Sequence, residues 1–317
     1  MRFTLILLFL CLAPFIKLKI EPIAKVIFYC SFPFVIFIIL FELWMILFTD
    51  STTAGVIRGF VIESGMGDVY TFGGLYRIQL SGTGCLLAFY MLSYVTNMFP
   101  QKHLVLCRLM YVAAIIFAGN FAFIIGLVIF HLLYAAIQKI KKKKLLNYSI
   151  VALLLLILIL PYIVSYLQNT IEQKSAESNA ERLFQTEALV SDLSSSFGSL
   201  LFGRGLGNIV EIKGGFRDYS VQGDYYELQS LYFMNQMGLI FFGLFLVFNI
   251  WVTVYKIPNV KGRIVYISYI AYGLFNPYIL NTLHVVVLLV LCNLPKSNYL
   301  KVHNYINGNY LQAKSLA

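Results

Sequence analysis

Charged side chains are scarce in this sequence. Only 12% of its 317 residues are Asp, Glu, Lys or Arg, whereas 60% are hydrophobic, and the mean hydropathy is +0.79. A soluble domain carries about 25% charged residues, so this chain has about half the charge that a water-exposed surface requires. Because apolar runs recur along nearly the whole length, no room is left for a separate soluble domain of about 100 residues. The composition predicts a membrane protein and excludes most classes of soluble enzyme.

Cysteine and histidine are also few. The five cysteines form no CxxC pair and no cluster beside a histidine, so neither a disulfide framework nor a structural zinc site is supported. The topology predicted below leaves all four histidines out of the outer segments. Zinc chemistry or a Ser-His-Asp arrangement on that side would therefore lack its commonest residue.

Long apolar runs account for most of the chain. A membrane-spanning helix needs about 20 such residues, and the runs cover 3–16, 26–48, 79–99, 109–138, 147–166, 230–254 and 264–294. Two of them are long enough to form two helices each, turning near Gly119-Asn120 and near Asn276-Pro277. The sequence therefore predicts an all-α, polytopic transmembrane bundle of about nine spans, with residues 1–317 forming a single integral membrane domain.

The first run is open to a second interpretation. Arg2 followed by about 14 apolar residues also fits the start of a signal peptide. Pro14 interrupts this run, and no A-x-A-like cleavage site precedes Lys17. These features favour an uncleaved short helix.

The distribution of basic residues orients the spans. Segments 17–25, 100–108, 138–144, 255–263 and 295–317 carry 16 of the 24 Lys and Arg, and Glu21 is their only acid. The positive-inside rule places them, including the C-terminal tail 295–317, in the cytoplasm. A lysine tract directly after a span marks such a cytoplasmic end, so no nucleic-acid partner is predicted.

Two outer segments remain, 49–78 and 167–229, and loops of this length are unusual unless they are functional. In the larger one, Ser178 to Glu181 fits a helix capping box, followed by apolar residues at helical spacing. We expect an amphipathic helix on the bilayer surface that presents Arg182, Gln185 and Asp192 to water or lipid head groups. A simple capping helix is the alternative.

Three features of the outer side could carry chemistry. The tract 201–208 (LFGRGLGN) places Gly203, Gly205 and Gly207 around Arg204, which suits a pyrophosphate site but also a plain turn. Glu227 lies at the mouth of a span, where partial desolvation favours a general base and the helix dipole favours any glutamate. Arg77, at the start of the third span, could hold a lipid-linked phosphate or merely extend towards the interface.

The order of these features resembles the O-antigen polymerase and ligase superfamily over about residues 70–255. Arg77 precedes a pair of predicted helices with a tight outer turn, and a lysine-rich cytoplasmic segment follows this pair. A long outer loop comes next, and the motif runs from Arg182 through the glycine tract and Glu227 to Gly238. The resemblance implies a GT-C-like bundle in the bacterial inner membrane, multi-pass, with its active site facing the periplasm. It also implies undecaprenyl-diphosphate-linked oligosaccharide as donor and acceptor, no nucleotide sugar, no metal or other cofactor, and a chain-length regulator as a candidate partner.

Site residues follow from the same resemblance. Arg77 and Arg182 match arginines of the family, and Arg204 lies inside the glycine tract. These three arginines would neutralise the diphosphate, helped by Gly203, Gly205 and Gly207. Glu227 would accept the proton of the attacking hydroxyl. This chain departs from the family pattern at two positions. Many relatives, including ligases, carry a histidine at the position of Glu227, and the glutamate here favours a polymerase over a ligase. Many relatives also have an arginine where this chain has Asn120. Arg217 or Arg58 would then replace that arginine.

Two other functions stay open. An O-antigen ligase would use the same donor with a different acceptor. A flippase for lipid-linked oligosaccharide should have polar spans and repeated halves. The only ionisable residues expected within the spans are Glu42, His131 and His284, which disfavours such a carrier.

Overall fold

The computed structural model describes residues 2–72, 75–137, 182–211, 228–274 and 279–295. Within these ranges the chain is mostly helical, as predicted, with one two-stranded antiparallel sheet. The helices, in chain order, are α1 (Arg2–Leu12), α2 (Ile20–Phe48), α3 (Ser51–Glu63), α4 (Gly84–Leu92), α5 (Leu104–Phe117), α6 (Phe121–Ile137), α7 (182–194), α8 (Phe197–Phe202), α9 (Gln229–Trp251), α10 (Val260–Gly273) and α11 (Thr282–Cys292). The strands are β1 (Gly67–Phe72) and β2 (Leu75–Leu80), and short 3-10 turns cover Ala13–Phe15 and Gln101–His103.

Two of the described helices are long and apolar enough to cross a membrane, namely α2, and α9 together with the turn that extends it to Lys256. Only 33% and 28% of their most apolar windows are buried inside the protein, whereas the core helix of a soluble protein would be mostly buried. Their exposed side chains are large and apolar, as at Phe48 (74% exposed) and Ile250 (63% exposed). Continuous apolar surface of this kind favours contact with lipid.

The other predicted spans in the described ranges form shorter helices, of 9 residues in α4 to 17 in α6. A nine-span bundle therefore stays a prediction. The predicted span 147–166 lies outside the described residues, as does the tail 295–317 after Pro295.

Several boundaries follow the sequence signals. α1 gives way to a 3-10 turn at Pro14, and the run 109–138 is two helices separated at Gly119, whose φ of 59° favours glycine. Asn259 caps α10 by accepting a hydrogen bond from the Gly262 N–H (2.6 Å), and Asn281 caps α11 in the same way from the Leu283 N–H (3.1 Å).

The segment 49–78, which the sequence predicts to be an outer loop, contains more regular structure than predicted. It contains α3 and both strands of a hairpin rather than a plain loop, and β2 continues to Leu80, so the helix expected from residue 79 begins only at Gly84. The hairpin lies beside the C-terminal half of α2, where the Glu42 carboxylate accepts a hydrogen bond from the Tyr76 N–H (2.8 Å).

Contacts between the elements are found at the two opposite ends of the helices. We call one the hairpin end; it contains β1, β2, the Gly119 turn and the start of α9. At the other, the lysine end, Lys256 lies over the Phe15 ring (4.3 Å) and Asn293 donates a hydrogen bond to the Ile16 carbonyl (2.8 Å).

Between the two ends, buried polar contacts tie the helices together. The Tyr266 hydroxyl of α10 bonds the Asn249 side chain of α9 and lies 2.8 Å from His284 Nε2 of α11. Tyr111 of α5 bonds Ser31 of α2. Because an unpaired polar group is costly in an apolar interior, such pairs fix which helix faces meet.

Candidate functional site at the hairpin end

The hairpin has one buried and one polar face. Val69 pairs with Ile78 on the buried face, and both side chains are almost fully inaccessible. Directly paired residues of antiparallel strands project to the same side, and the side chains alternate along each strand. The pairs Asp68 with Gln79 and Tyr70 with Arg77 therefore share the opposite face. We call this set the hairpin polar face.

Helix α3 adds a second arginine to the hairpin polar face. Arg58 donates to both carboxylate oxygens of Asp68, at 2.9 and 3.1 Å. These hydrogen bonds raise the pKa of Arg58 above its usual value, so the guanidinium stays charged. Both arginines approach the Tyr70 ring, with the Arg58 guanidinium carbon 5.5 Å and that of Arg77 5.3 Å from its centroid.

Arg77 differs from Arg58 in having no acidic partner among the described residues. When the Gln79 amide is oriented to satisfy its neighbours, its oxygen accepts from Arg77 Nη2 (2.7 Å) and Nε (3.2 Å). Among the residues that the structure describes, no carboxylate lies within ion-pair distance of Arg77. This half-buried guanidinium therefore has a neutral partner and no described carboxylate to neutralise it, which suits an anionic ligand.

The Arg77 side chain is held against the turn between α5 and α6. Its Cγ lies so close to Gly119 that a Cβ there would be 2.5 Å away. Glycine is therefore required at this turn both by its positive φ and by the arginine packed on it. Asn120, the position at which the family resemblance expects an arginine, follows directly.

Contacts continue from this turn to the end of α10. Phe123, in the first turn of α6, meets the Tyr272 ring edge-on at 6.0 Å between centroids. Two residues after Tyr272, the Leu274 carbonyl accepts a hydrogen bond from the Ser230 hydroxyl of α9 (2.8 Å). The start of α9 is therefore at the same end of the helices as Arg77.

Helix α7 approaches the start of α9 as well. Gln185 is fully buried, and its side-chain oxygen accepts a hydrogen bond from the Leu228 N–H (3.3 Å). The expectation that Gln185 faces water is wrong, because this residue points into the protein together with Leu189 and Leu193. Arg182 lies one turn before Gln185, exposed, and Glu227 directly precedes Leu228 in the chain.

The glycine tract is docked on a break in α9. Gly238 has φ 69° and ψ 174°, which interrupts the helical hydrogen bonds inside Gln229–Trp251. The carbonyls of Asn235 and Gln236 instead accept hydrogen bonds from the N–H groups of Arg204 (2.9 Å) and Gly205 (3.0 Å). The tract thus replaces the missing turn of the helix.

Side chains complete the docking. The Gln236 amide accepts from the Gly207 N–H (3.0 Å) and donates to the Asn208 carbonyl (3.1 Å). Gly203 directly follows α8, and its N–H donates a hydrogen bond to the Ser199 carbonyl within that helix (2.8 Å). Gly203, Arg204, Gly205 and Gly207 therefore use their N–H groups within the protein. A nest of these N–H groups around a phosphate does not fit this geometry, which leaves the Arg204 side chain as the accessible cation.

Arg204 is paired with an acid. Its Nη2 lies 2.9 Å from Asp192 Oδ1 and 2.6 Å from the Ser195 hydroxyl. Asp192 Oδ2 accepts a further hydrogen bond from the fully buried Asn235 amide (2.9 Å), whose nitrogen also donates to the Leu189 carbonyl (3.1 Å). No donor in the described ranges reaches the Asn235 oxygen. Asp192 therefore connects α7, the tract and α9.

We expect Asp192→Ala to lower the free energy of unfolding by about 1–3 kcal/mol, because one N–H of the buried Asn235 amide loses its acceptor. Asp192→Asn retains an oxygen at this position and should cost less. Glu187→Ala, on an exposed position of the same helix, serves as control. Thermal unfolding of the purified protein in detergent measures all three, and equal midpoints for Asp192→Ala and Glu187→Ala would contradict the network.

The structure does not bring all predicted site residues together. Arg77 lies on the hairpin polar face, whereas Arg204 belongs to the separate network with Asp192. Arg217 and the predicted base Glu227 lie outside the described residues. The roles assigned to these four residues and to Arg182 stay predictions. No group of three or more His, Cys, Asp or Glu side chains in the described ranges could hold a metal ion.

The hairpin and the partners that it gives Arg77 were not predicted from the sequence. The signal was present, because the alternating runs 67–72 and 75–80 are separated by Gly73-Gly74, a common hairpin composition.

No protein-family model, curated protein or solved structure matches this chain.

Proposed function

We propose that this chain is an O-antigen polymerase, a membrane-embedded glycosyltransferase that joins undecaprenyl-diphosphate-linked oligosaccharide units. In this proposal it is a nine-span, GT-C-like protein of the bacterial inner membrane whose hairpin end faces the periplasm. The observation that carries the proposal is Arg77, a half-buried guanidinium with no acidic partner among the described residues, at the same end of the helices as the start of α9.

The proposed reaction needs one base and one anion site. A sugar hydroxyl of the acceptor attacks the anomeric carbon of the donor glycan while the bond from that carbon to the diphosphate oxygen breaks. The bonding electrons leave with the undecaprenyl diphosphate, and the hydroxyl proton passes to the Glu227 carboxylate. Negative charge therefore grows on the leaving diphosphate.

Arg77 would neutralise this charge. A guanidinium can donate two parallel hydrogen bonds to phosphate oxygens. Gln79, Tyr70 and the Gly119 turn hold the side chain in place before substrate binds, so little reorganisation is needed as charge develops. Arg182, exposed one turn before Gln185, is the second candidate cation. Arg204 acts in this proposal only if substrate competes with Asp192.

A deletion strain tests the function. We expect its lipopolysaccharide, separated on a silver-stained gel, to show core carrying a single repeat unit, and complementation to restore the ladder of polymer bands. Core with no repeat at all would instead indicate a ligase or a flippase. An unchanged ladder would refute a role in this polymer.

Glu227→Gln tests the proposed base. The variant keeps the size of the side chain but cannot accept the hydroxyl proton, so we expect polymerisation to fall by about 100-fold. Binding of the donor should be retained, because the arginines are unchanged. Polymerisation and retention of radiolabelled donor are measured on the same purified protein, with Glu211→Gln as a control in the same outer segment. Normal polymerisation by Glu227→Gln would remove Glu227 from the mechanism.

A further inference from the structure

A second candidate site lies at the lysine end, away from the hairpin. An apolar groove of about 510 Å³ runs between α1 and α9. Six side chains line it, namely Cys11, Phe15, Leu244, Val247, Phe248 and Trp251. Almost all of the exposed groove surface is apolar. A groove of this shape on a lipid-facing helix suits a hydrocarbon chain.

A lysine closes one end of the groove. The Lys256 ammonium lies 4.3 Å from the centroid of the Phe15 ring and 4.9 Å from that of Trp251. Both rings also line the groove, so the charge is held where the apolar lining ends. In the part of the chain that the structure describes, no carboxylate pairs with Lys256.

A π-helical turn in the backbone determines the position of Lys256. Residues Val252–Lys256 form a π-helical turn, closed by a hydrogen bond from the Ile257 N–H to the Val252 carbonyl (3.1 Å). In a continuous α-helix, Lys256 would lie about 140° around the axis from Trp251. The wider turn brings it back above the Trp251 ring. Such turns are rare and occur often at functional sites.

A second ammonium group lies nearby. Asn293 holds the segment after α1 by donating to the Ile16 carbonyl (2.8 Å) and accepting from the Leu18 N–H (2.9 Å). Lys17 lies between these two bonds, so its backbone is held beside Asn293, directly after α11. Lys17 and Lys256 therefore both belong to the lysine end, and neither is paired with a carboxylate among the described residues.

We propose that this groove binds an anionic phospholipid, with one acyl chain along α1 and α9 and the phosphate at Lys256 and Lys17. The charge at the groove end selects an anionic head group over a zwitterionic one, because the amine of a zwitterionic lipid opposes the two ammonium groups. Each lysine near an anionic lipid surface contributes about fivefold in affinity. Two lysines predict a preference of about 25-fold.

Native mass spectrometry of the full-length protein in detergent tests the site. The probes are phosphatidylglycerol and phosphatidylethanolamine with identical acyl chains. We expect the wild type to retain phosphatidylglycerol about 25-fold better, Lys256→Gln to lose about fivefold of this preference, and Lys256→Arg to keep it. Leu244→Trp, which fills the groove, should weaken binding of both lipids.

Two controls distinguish lipid binding in this groove from non-specific electrostatic attraction between lysines and anionic lipid. Lys261→Gln removes a lysine of the same end that lies over Tyr134 (5.9 Å) and not at the groove, so the preference should not change. Inorganic phosphate at millimolar concentration should not displace the lipid, because it cannot occupy the apolar groove. Equal retention of the two lipids by the wild type, an equal loss in Lys261→Gln and Lys256→Gln, or displacement by phosphate would each overturn the proposal.

Discussion

Replacing Arg77 with methionine is expected to reduce polymerisation by about 1,000-fold while the protein still folds. Methionine keeps an apolar stem against Gly119 and Tyr70, where the arginine side chain packs. It removes the guanidinium that we propose faces the leaving diphosphate. Loss of one preorganised donor costs about 10²–10³ in turnover, and Arg77 would supply two donors together with a charge.

Arg58→Met is the matched control for this variant. Arg58 belongs to the same hairpin polar face and contacts the same Tyr70 ring, but its charge is already paired with Asp68. We expect polymerisation to change by no more than about fivefold. Arg77→Lys keeps the charge and loses the forked geometry, so it should restore activity only in part.

The comparison is measured as the initial rate of polymer formation by purified protein in proteoliposomes, with lipid-linked repeat units supplied to the hairpin end. Thermal unfolding of each variant shows whether the hairpin is intact. A normal rate in Arg77→Met would exclude Arg77 from charge stabilisation. Equal losses in Arg77→Met and Arg58→Met would indicate that the arginines support the hairpin rather than the reaction.

The long helices could be predicted from the sequence because their signal is strong and local. Runs of apolar residues much longer than a soluble core helix mark α2 and α9. The turn at Gly119 and the end of α1 at Pro14 also follow from single-residue backbone preferences. Each of these features depends on a few neighbouring residues, so no tertiary information was needed.

The hairpin and the break in α9 were harder to predict, for two physical reasons. Six-residue strands beside a span merge with the apolar pattern of the helix that follows, so the predicted third span, 79–99, includes the last two residues of β2. A glycine within an apolar helix is usually tolerated, and only the docked tract reveals that Gly238 interrupts the hydrogen bonds. Such a break depends on a partner about 35 residues away in sequence, which periodicity does not show.

The candidate site could be predicted in part for the same reasons. Residue type alone marks Arg77 and Arg204 as cations, but their partners decide which charge is available. Arg204 is neutralised by Asp192, whereas Arg77 has Gln79. Likewise, Gln185 lies in a polar position of the helical pattern and is nevertheless buried, because its amide satisfies the Leu228 N–H. Pairing of this kind depends on the folded structure.

Gly238→Ala is expected to have the largest effect on stability. A Cβ at this position would overlap the Gly203 nitrogen and the Leu201 carbonyl, and both are backbone atoms that cannot turn aside. The positive φ adds strain for any residue with a Cβ. We expect the thermal midpoint to fall by about 10 °C or more, as for other substitutions with severe backbone overlap.

Gly243→Ala is the matched control, since it lies five residues further along the same helix with open space around its Cα. Its midpoint should be unchanged or slightly higher, because alanine favours helix. Gly203→Ala should match Gly238→Ala, since each glycine makes room for the other.

The double variant Gly203→Ala/Gly238→Ala should lose less than the sum of the single losses, because either Cβ alone already separates the tract from the helix. Fully additive losses would mean that the two glycines act independently. A wild-type midpoint in Gly238→Ala would mean that α9 is continuous and that the tract is not docked on it. The N–H groups of the tract would then be free to bind an anion, as its sequence alone suggests. This variant therefore decides between the two arrangements of the glycine tract.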